Sequence, residues 1–367
     1  MTTPVPYQPQ GLNAEQADGN ILLTWAGALG ATGYQVQRST DGVNFTNLAT
    51  TTTATQYLDS LPGTGIMYYY RVYATNGGGN SPNSSVAQMV AAPPSEMSLY
   101  ELRLRAQQTA DRVNSQFVTT SEWNAFLRLA MYELYDTLID ADPELFIVGG
   151  PGNPNGTGAV TIQTNGTIAN YPLPDGVTNY IGGTYPNSSG TPAPAFYKMW
   201  GVDLNVNTSN VTPSRVTLLK FMFIDRNKYV YPNSTSTIYG VYNMRYRVVG
   251  TNSSQQFLNI IPTPAGNQTL GIWYAPKLKS MLADTDLTTI GYSGWIRYAI
   301  VRAAKYALDK EEGNTDKLDG ELAFLKDRIT QASQNRDAGI PDTISDTRQD
   351  PIYGGNGFAG GGSQAGW

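Results

Sequence analysis

The chain has 367 residues, of which only 14% are charged, and its net charge is −5. That length is enough for two or three domains with cores of their own, and the acidic balance argues against a protein that coats nucleic acid. The sequence has neither cysteine nor histidine, which excludes disulfides, thiolate chemistry, the usual zinc ligands and a Ser-His-Asp triad. The opening MTTPVPYQPQ lacks the features of a signal peptide, and no run reaches the ~20 apolar residues of a membrane helix, so we expect a protein made in a cytoplasm without a membrane partner.

Residues 1–92 have the pattern of an all-β module. Short runs rich in β-branched and aromatic residues, Ile21–Trp25, Tyr34–Arg38 and Tyr68–Ala74, are separated by Gly, Asp and Asn. Asp41-Gly42 follows the second run and is a hairpin signal.

The same residues carry a resemblance to a known family. GL at 11–12, LTW at 23–25, GYQVQRSTDG at 33–42, YLDSLPGTGIMYYYRVYATN at 57–76 and GGGNSP at 77–82 resemble a fibronectin type III domain. The resemblance implies a β-sandwich in which Leu61 with Tyr68 or Tyr70 forms a tyrosine corner. The core residues that it implies are Trp25, Tyr34, Leu61, Tyr68 and Tyr70.

A Pro-rich linker at 93–97 leads to a predicted helical hairpin at 98–146. One apolar stripe on a 3.6-residue period comprises Leu99, Leu102, Ala106, Ala110 and Val113, and a second comprises Trp123, Leu127, Ala130, Leu134 and Leu138. Ser98 with Glu101, and Thr119 with Glu122, fit the capping box that begins a helix. Two amphipathic helices cannot bury both stripes alone, so we expect further helices to cover them.

A second helical hairpin is predicted at 291–336. Its first stripe comprises Ile296, Ala299, Ile300, Ala303, Ala304, Ala307 and Leu308, and its second comprises Leu318, Leu322, Leu325 and Ile329. Gly313 is the predicted C-cap between the two helices. We therefore predict a four-helix bundle closed across a long insertion.

The insertion, residues 147–290, is rich in Gly, Pro, Asn, Ser and Thr. Strand-like runs lie at Ala159–Gln163, Arg215–Phe223, Tyr242–Val249, Phe257–Ile261 and Thr269–Tyr274. Asn165-Gly166 is a hairpin signal. These features predict an inserted antiparallel β domain, either a meander or a small barrel. The whole chain is thus expected to be a multidomain α+β protein.

The Gly-rich tail at 337–367 cannot build a core of its own. Two interpretations remain open: a disordered tail, or an extended segment that orders across a neighbouring subunit. The apolar anchors that favour the second are Ile340, Pro341, Ile344, Ile352, Tyr353, Phe358 and Trp367.

Few residues suggest a catalytic, cofactor-binding or metal-binding site. Glu133, Asp136 and Asp140 share a helix face; they fit acid–base work or a cation site, but a solvated helix face is the simpler interpretation. The Gly runs lack the flanking elements of a phosphate loop. We assign no catalytic, cofactor-binding or metal-binding residue, and we expect no enzyme. Arg226, Arg245 and Arg247 interleave with aromatic residues, a pattern that also occurs at nucleic-acid surfaces.

The helical and central regions resemble head-to-tail adaptor (connector) proteins of tailed bacteriophages. The segments that carry the resemblance are SLYELRLRAQQTADRVNSQFVTTSEWNAFLRLAMYELYDTL at 98–138, FYKMWGVDL at 196–204, TLLKFMFIDRNKY at 217–229, LNIIPTPAGNQTLGIWYAP at 258–276, GWIRYAIVRAAKYALDKEE at 294–312 and RDAGIPDTISDTR at 336–348. The N-terminal fibronectin-like module departs from that family's pattern.

This resemblance implies a virion structural protein at the portal–tail junction, assembled in the host bacterial cytoplasm. The expected partners are other copies of the chain in a ring of about twelve, the portal protein, a tail nozzle or tail tube protein, and viral DNA in passage. The tail anchors would bind the portal, and Arg226, Arg245 and Arg247 would contact DNA in the channel or a neighbouring subunit.

Two other function classes remain open. A glycan-binding or adhesion protein would use the fibronectin-like and β-rich domains, with Tyr68–Tyr70 and Trp200 stacking on sugar. An extracellular enzyme with an accessory fibronectin domain is disfavoured by the missing histidine and signal peptide. An adaptor would assemble with a portal and depend on its tail, whereas a lectin would act without the tail.

Overall fold

A computed structural model describes residues 3–51, 54–60, 62–94, 96–113, 115–142, 146–148, 160–176, 193–206, 214–229, 244–250, 256–264, 266–288 and 294–334. Within these segments the protein is a mixed α+β structure with four α-helices and several predominantly antiparallel sheets. None of the helices described is long and apolar enough to cross a membrane.

The N-terminal part folds into two antiparallel sheets that share one core. The strands are β1 (Gln10–Ala17), β2 (Asn20–Ala26), β3 (Gly33–Ser39), β4 (Thr46–Thr51), β5 (Gln56–Asp59), β6 (Met67–Asn76), β7 (Gly79–Asn80) and β8 (Ala87–Val90). One sheet has the order β1-β2-β5; the other has the order β4-β3-β6, with β7 and β8 both paired to β6. Alternate residues of β2 and β6 are buried between the sheets, which is the period of a strand with one face on a core. The three predicted strands are confirmed.

The turn between β3 and β4 forms as Asp41-Gly42 predicts. Gly42 has a left-handed backbone with a φ of 74°, a conformation that costs glycine little. The Asp41 carboxylate accepts hydrogen bonds from the backbone N–H groups of Val43 and Asn44 at 2.9 and 2.8 Å.

The four helices are α1 (Leu99–Thr109), α2 (Thr120–Ala141), α3 (Ile296–Lys310) and α4 (Asp316–Gln334). Thr119 and Glu122 form the full capping box predicted for α2. At α1 the Ser98 hydroxyl accepts from the N–H of Glu101, but the Glu101 carboxylate pairs with Arg105 one turn later.

Two predicted helix ends are wrong, for the same physical reason. Helix α1 stops at its C-cap Ala110 because Asp111 is left-handed, and the N–H groups of Asp111 and Arg112 then bond back to carbonyls of the last turn. Val113 therefore lies beyond the helix and is 45% exposed. Helix α3 ends in the same way, with Glu312 rather than Gly313 in the left-handed position.

Side chains from all four helices form a single buried cluster. It contains all residues of the four predicted stripes apart from Val113, which is exposed, and Leu308, which packs against the edge of the cluster. The buried members are Leu99, Leu102, Ala106, Ala110, Trp123, Leu127, Ala130, Leu134, Leu138, Ile296, Ala299, Ile300, Ala303, Ala304, Ala307, Leu318, Leu322, Leu325 and Ile329. The two helical hairpins, about 150 residues apart in sequence, thus bury their apolar faces against each other.

The central part contains two four-stranded sheets. One has the order β10 (Asn170–Pro172), β15 (Gln256–Ile261), β14 (Arg245–Gly250), β13 (Leu219–Lys220), and the other β12 (Ser214–Thr217), β11 (Phe196–Val206), β16 (Gly266–Pro276), β9 (Val160–Asn165). Their buried side chains belong to one cluster. This arrangement differs from a meander because three of the six neighbouring pairs, β10–β15, β11–β16 and β16–β9, join strands distant in sequence. In addition, β13 pairs with β14 in parallel.

Two local predictions in this part are also wrong. The Asn165-Gly166 turn does not join paired strands: β9 and β10, on either side of it, belong to different sheets. The run Arg215–Phe223 is not one strand either, since β12 and β13 are separated by the buried Leu218 and a 3-10 helix begins at Phe223 (Phe223–Tyr229).

Candidate functional site

The most unusual surface of the described residues follows strand β13. Met222, Phe223 and Ile224 are consecutive and are 73%, 61% and 80% exposed, and nearby Leu219 is 59% exposed. Three consecutive exposed large apolar residues are rare in a soluble protein without a binding role. We define the Phe223 surface by these four residues and three basic neighbours, Lys220, Arg226 and Arg247.

The backbone explains why these side chains face solvent. The N–H of Phe221, whose side chain is buried, donates to the carbonyl of Tyr246 at 3.0 Å and continues the parallel pairing of β13 with β14. Past Phe221 the chain leaves the sheet, and the N–H of Asp225 closes a turn on the carbonyl of Met222 at 2.9 Å. The 3-10 segment therefore projects its apolar residues from the edge strand, beyond the core that Phe221 joins.

Two of the three predicted basic residues meet on Phe223. The guanidinium carbons of Arg226 and Arg247 lie 4.2 and 4.8 Å from the centroid of its ring, within the range of a cation–π contact. Arg226 also donates to the Phe223 carbonyl at 3.1 Å. The surface therefore combines an exposed apolar centre with fixed positive charge, and the guanidinium groups compete with a nucleic-acid base for stacking on the ring.

The third basic residue, Arg245, lies on β14 beside this surface. It is half-buried and donates to the Met244 carbonyl at 2.9 Å. Arg245 and Arg247 flank the buried Tyr246, so the alternation of the strand places both on the face opposite to the core.

The acidic residues of α2 make individual pairs. Glu133 accepts from Arg302 of α3 at 2.7 Å and also from the Tyr306 hydroxyl, and the contact with Glu133 raises the pKa of Arg302. On the same helix, Asp140 accepts from Lys198 of β11 at 2.6 Å.

The third acidic residue of this face, Asp136, accepts from the hydroxyl of Tyr197 on β11. That hydrogen bond raises the pKa of Tyr197 to about 12. The three carboxylates therefore bond singly to neighbouring elements and share no cation in this arrangement. Asp136 and Asp140 remain exposed, as a solvated helix face predicts. Across the segments described, no group of three acidic side chains is arranged to hold a metal ion.

The four aromatic residues predicted for the fibronectin-like core, Trp25, Tyr34, Tyr68 and Tyr70, are buried. Trp25 and Tyr34 pack edge to face in the core with ring centroids 5.6 Å apart. The Tyr68 hydroxyl accepts from the N–H of Gly63 at 3.0 Å, which is a tyrosine corner made by Tyr68 and not by Tyr70. Leu61, the other predicted member, lies outside the described residues.

Tyr70 has a different role. Its hydroxyl donates to Asp59 at 2.7 Å, and Asp59 also pairs with Arg38 at 2.9 Å. Burial, and then the bond to Asp59, raise the pKa of Tyr70. Tyr68 and Tyr70 therefore present no ring face to a sugar. Trp200 is half-buried against the helical cluster, with the ammonium group of Lys198 5.3 Å from its ring.

The predicted portal-binding residues of the tail all lie outside the described residues: Ile340, Pro341, Ile344, Ile352, Tyr353, Phe358 and Trp367.

Comparison with known proteins gives matches for part of the chain. A structure described as an FN3tt mutant is 26% identical and covers 24% of this chain and 97% of its own, with a TM-score of 0.22. An Fn3-like protein from Clostridium thermocellum is 39% identical and covers 24% of this chain and 92% of its own, also with a TM-score of 0.22. The two antiparallel sheets and the tyrosine corner of the N-terminal part have the arrangement of a fibronectin type III-like fold. No protein-family model matches the chain, and neither does any curated protein.

The fibronectin-like domain contacts the linker that leads to the helices. Gln16, on β1, donates from its side-chain amide to the carbonyls of Ala92 and Pro93 at 2.8 and 3.1 Å. The linker in turn contacts the segment after β16, where the N–H of Met97 donates to the Thr288 hydroxyl at 2.9 Å. These bonds attach the domain to the helical part through the linker.

Proposed function

We propose that this protein is the subunit of a head-to-tail adaptor ring in a tailed bacteriophage, located between the portal and the tail around the passing DNA. The sequence resemblance of residues 98–348 to such adaptors supports this functional class. The observation that carries the proposal is the Phe223 surface, since its exposed apolar run has the character of a protein–protein contact.

A ring imposes a particular requirement on its subunit. Each copy needs two different lateral surfaces that contact each other head to tail and close by rotation. The Phe223 surface supplies one apolar patch with positive charge. In the proposed ring it contacts the next copy, and the four helices form the bundle from which the central β sheets extend.

The first test is a change confined to this surface. Ile224→Ser removes an 80% exposed β-branched side chain and should leave the fold intact while weakening assembly. Val43→Ser is the matched control because Val43 is 77% exposed in the fibronectin-like domain, far from the Phe223 surface in sequence. In sedimentation velocity the Ile224→Ser protein should shift towards monomer at concentrations where the wild type and Val43→Ser form rings. Equal assembly of all three proteins contradicts a role for this surface.

The second test concerns the tail. Deletion of residues 337–367 should leave folded subunits that no longer join the portal, because the apolar anchors of the tail are the proposed portal contacts. Co-purification of the truncated chain with its portal, followed by circular dichroism of the truncated chain alone, measures both properties. A truncated chain that still binds the portal at wild-type stoichiometry refutes the role of the tail.

The glycan-binding alternative has less support. It depends on aromatic rings that stack on sugar. Tyr68 and Tyr70 are buried in the sandwich core, and Tyr69 between them is half-buried. The hydroxyl groups of Tyr68 and Tyr70 are occupied by Gly63 and Asp59.

A further inference from the structure

A head-to-tail ring needs a second surface that is complementary to the Phe223 surface. The Phe223 surface is apolar at its centre and net positive, because its three basic residues outnumber the one acidic residue of that segment, Asp225. Its counterpart on the next copy should therefore combine exposed apolar side chains with negative charge. Besides Phe223, three aromatic side chains of the described residues are more than half exposed: Tyr7, Phe117 and Phe324.

Two of these three rings lack a negative surrounding. Tyr7 lines a cleft in the fibronectin-like domain, and none of the described residues that line this cleft is charged. Phe324, on α4, has Asp327 and Arg328 about one turn later, and their charges cancel. Glu321, about one turn earlier, pairs with a basic residue of α3 at 2.8 Å. Neither ring therefore matches the Phe223 surface in charge.

The remaining ring, Phe117, lies in the loop between α1 and α2, at one end of the helical bundle. Its side chain is 59% exposed, and Val113, four residues earlier in the same loop, is 45% exposed. Arg112 of this loop donates to Glu311, just after α3, at 2.6 Å. Lys310, the last residue of α3, donates to the Phe117 carbonyl at 3.2 Å. The loop and the end of α3 therefore form one surface.

Two acidic residues make this surface net negative. Its two basic residues already have carboxylate partners, Glu311 and Glu122. Asp111 and Glu312 are both exposed, and each adjoins in sequence one member of the ion pair that joins the loop to the end of α3. We define the Phe117 surface by two apolar and two acidic residues: Val113, Phe117, Asp111 and Glu312. It has an apolar centre, like the Phe223 surface, and the opposite charge.

Local stability does not explain why these two positions are acidic. Asp111 and Glu312 hold the left-handed positions that end α1 and α3, with φ values of 54° and 55°. Glycine and asparagine suit that backbone better than glutamate, and a negative charge next to a helix C-terminus opposes the helix dipole. The sequence thus keeps two carboxylates where uncharged residues are more stable, which indicates a role outside the single fold.

We propose that the Phe117 surface of one copy binds the Phe223 surface of the next copy, an inference that rests on the ring proposed above. The apolar centres cover each other, and the opposite charges meet around them. Both surfaces are exposed in the single chain, so a second copy is what covers them. Because the two surfaces differ, every copy supplies both halves of the contact, as a ring that closes by rotation requires.

The first experiment removes the negative charge without a cost to the fold. Asparagine tolerates the left-handed backbone, so the double variant Asp111→Asn, Glu312→Asn should have wild-type or higher stability in urea unfolding. In sedimentation velocity of the full chain, it should raise the midpoint concentration of assembly about threefold to tenfold. The matched control is Glu15→Gln with Asp18→Asn, which removes two exposed acidic charges of the fibronectin-like domain, one of them at a left-handed residue. The control should assemble like the wild type.

The second experiment tests which surface meets which. Phe117→Lys and Ile224→Glu each place the wrong charge on one surface, at side chains that are 59% and 80% exposed. Each variant alone should sediment as a monomer, because one half of every contact is blocked. An equimolar mixture should form a complex that contains both variants, since the intact Phe223 surface of one meets the intact Phe117 surface of the other.

The outcomes separate this contact from the ring itself. A wild type that forms rings, together with an Asp111→Asn, Glu312→Asn variant that assembles equally well, overturns the contact and leaves the ring in place. A mixture of Phe117→Lys and Ile224→Glu that stays monomeric overturns the pairing of the two surfaces. A wild type that forms no ring, alone or with its portal, contradicts the proposed function and this contact with it.

Discussion

Leu134→Ala tests whether the two helical hairpins share one core. Leu134 is 0% exposed near the middle of α2 and belongs to the cluster that all four helices build. Truncation of a fully buried leucine removes its transfer free energy and leaves a cavity, which together cost about 3–5 kcal/mol. Leu129→Ala is the matched control on the same helix, because Leu129 is 52% exposed and should cost less than about 1 kcal/mol.

The assay combines urea unfolding, followed by circular dichroism at 222 nm, with amide hydrogen exchange. The dichroism signal reports the total helical content, and the exchange measurement gives the amide protection of α1 and α2 separately from that of α3 and α4. We expect Leu134→Ala to lower the unfolding free energy and to reduce protection in both hairpins together. A loss confined to residues 99–141, or equal effects of the two substitutions, refutes the shared core.

Two further predictions concern single contacts. The Glu122 carboxylate bonds to Lys310 and Thr119, and these bonds lower its pKa to about 2. Its contribution to stability is thus present above the unfolded-state pKa of about 4.3 and is lost as the pH falls through about 2. The difference in urea midpoint between the wild type and Glu122→Gln should therefore shrink over that pH range. A difference that stays constant contradicts this role of Glu122. Tyr68→Phe removes the bond from the Gly63 N–H and should destabilise the fibronectin-like domain by about 1 kcal/mol in thermal unfolding; a Tyr68→Phe protein with wild-type stability contradicts the corner's contribution.

The starts of α1 and α2 could be predicted from the sequence, but the ends of α1 and α3 could not. A capping box is a local contact over three residues, and Thr119 with Glu122 forms it as predicted. The ends of α1 and α3 depend on left-handed Asp111 and Glu312. Residues other than glycine adopt this backbone in only a few per cent of cases, although aspartate does so more often than glutamate. A prediction based on apolar periodicity and on glycine as the end signal therefore extends α1 to Val113 and places the end of α3 at Gly313.

The central sheets were less predictable because their partners are distant in sequence. The β-branched runs gave the positions of most strands, whereas the order β10-β15-β14-β13 depends on contacts across about 90 residues. The Asn165-Gly166 turn illustrates the difference: the turn forms, with Asn165 accepting from the N–H groups of Thr167 and Ile168 at 3.0 Å, but it connects two sheets.

The Phe223 surface was predicted only in part. The interleaved basic and aromatic residues indicated Arg226, Arg245 and Arg247, but the approach of Arg226 and Arg247 to one ring depends on tertiary folding. The strand predicted at Arg215–Phe223 includes only the first three residues of the apolar run Phe221–Ile224. The polar residues that follow it, Asp225-Arg226-Asn227, are the available signal that the chain leaves the sheet there.

Native mass spectrometry of the full-length wild-type chain, alone and with its portal, tests the central claim most directly. We expect a discrete closed oligomer of about twelve copies of the 39.8 kDa chain, either free or formed on the portal. A chain that stays monomeric at every concentration, with and without portal, contradicts the adaptor proposal.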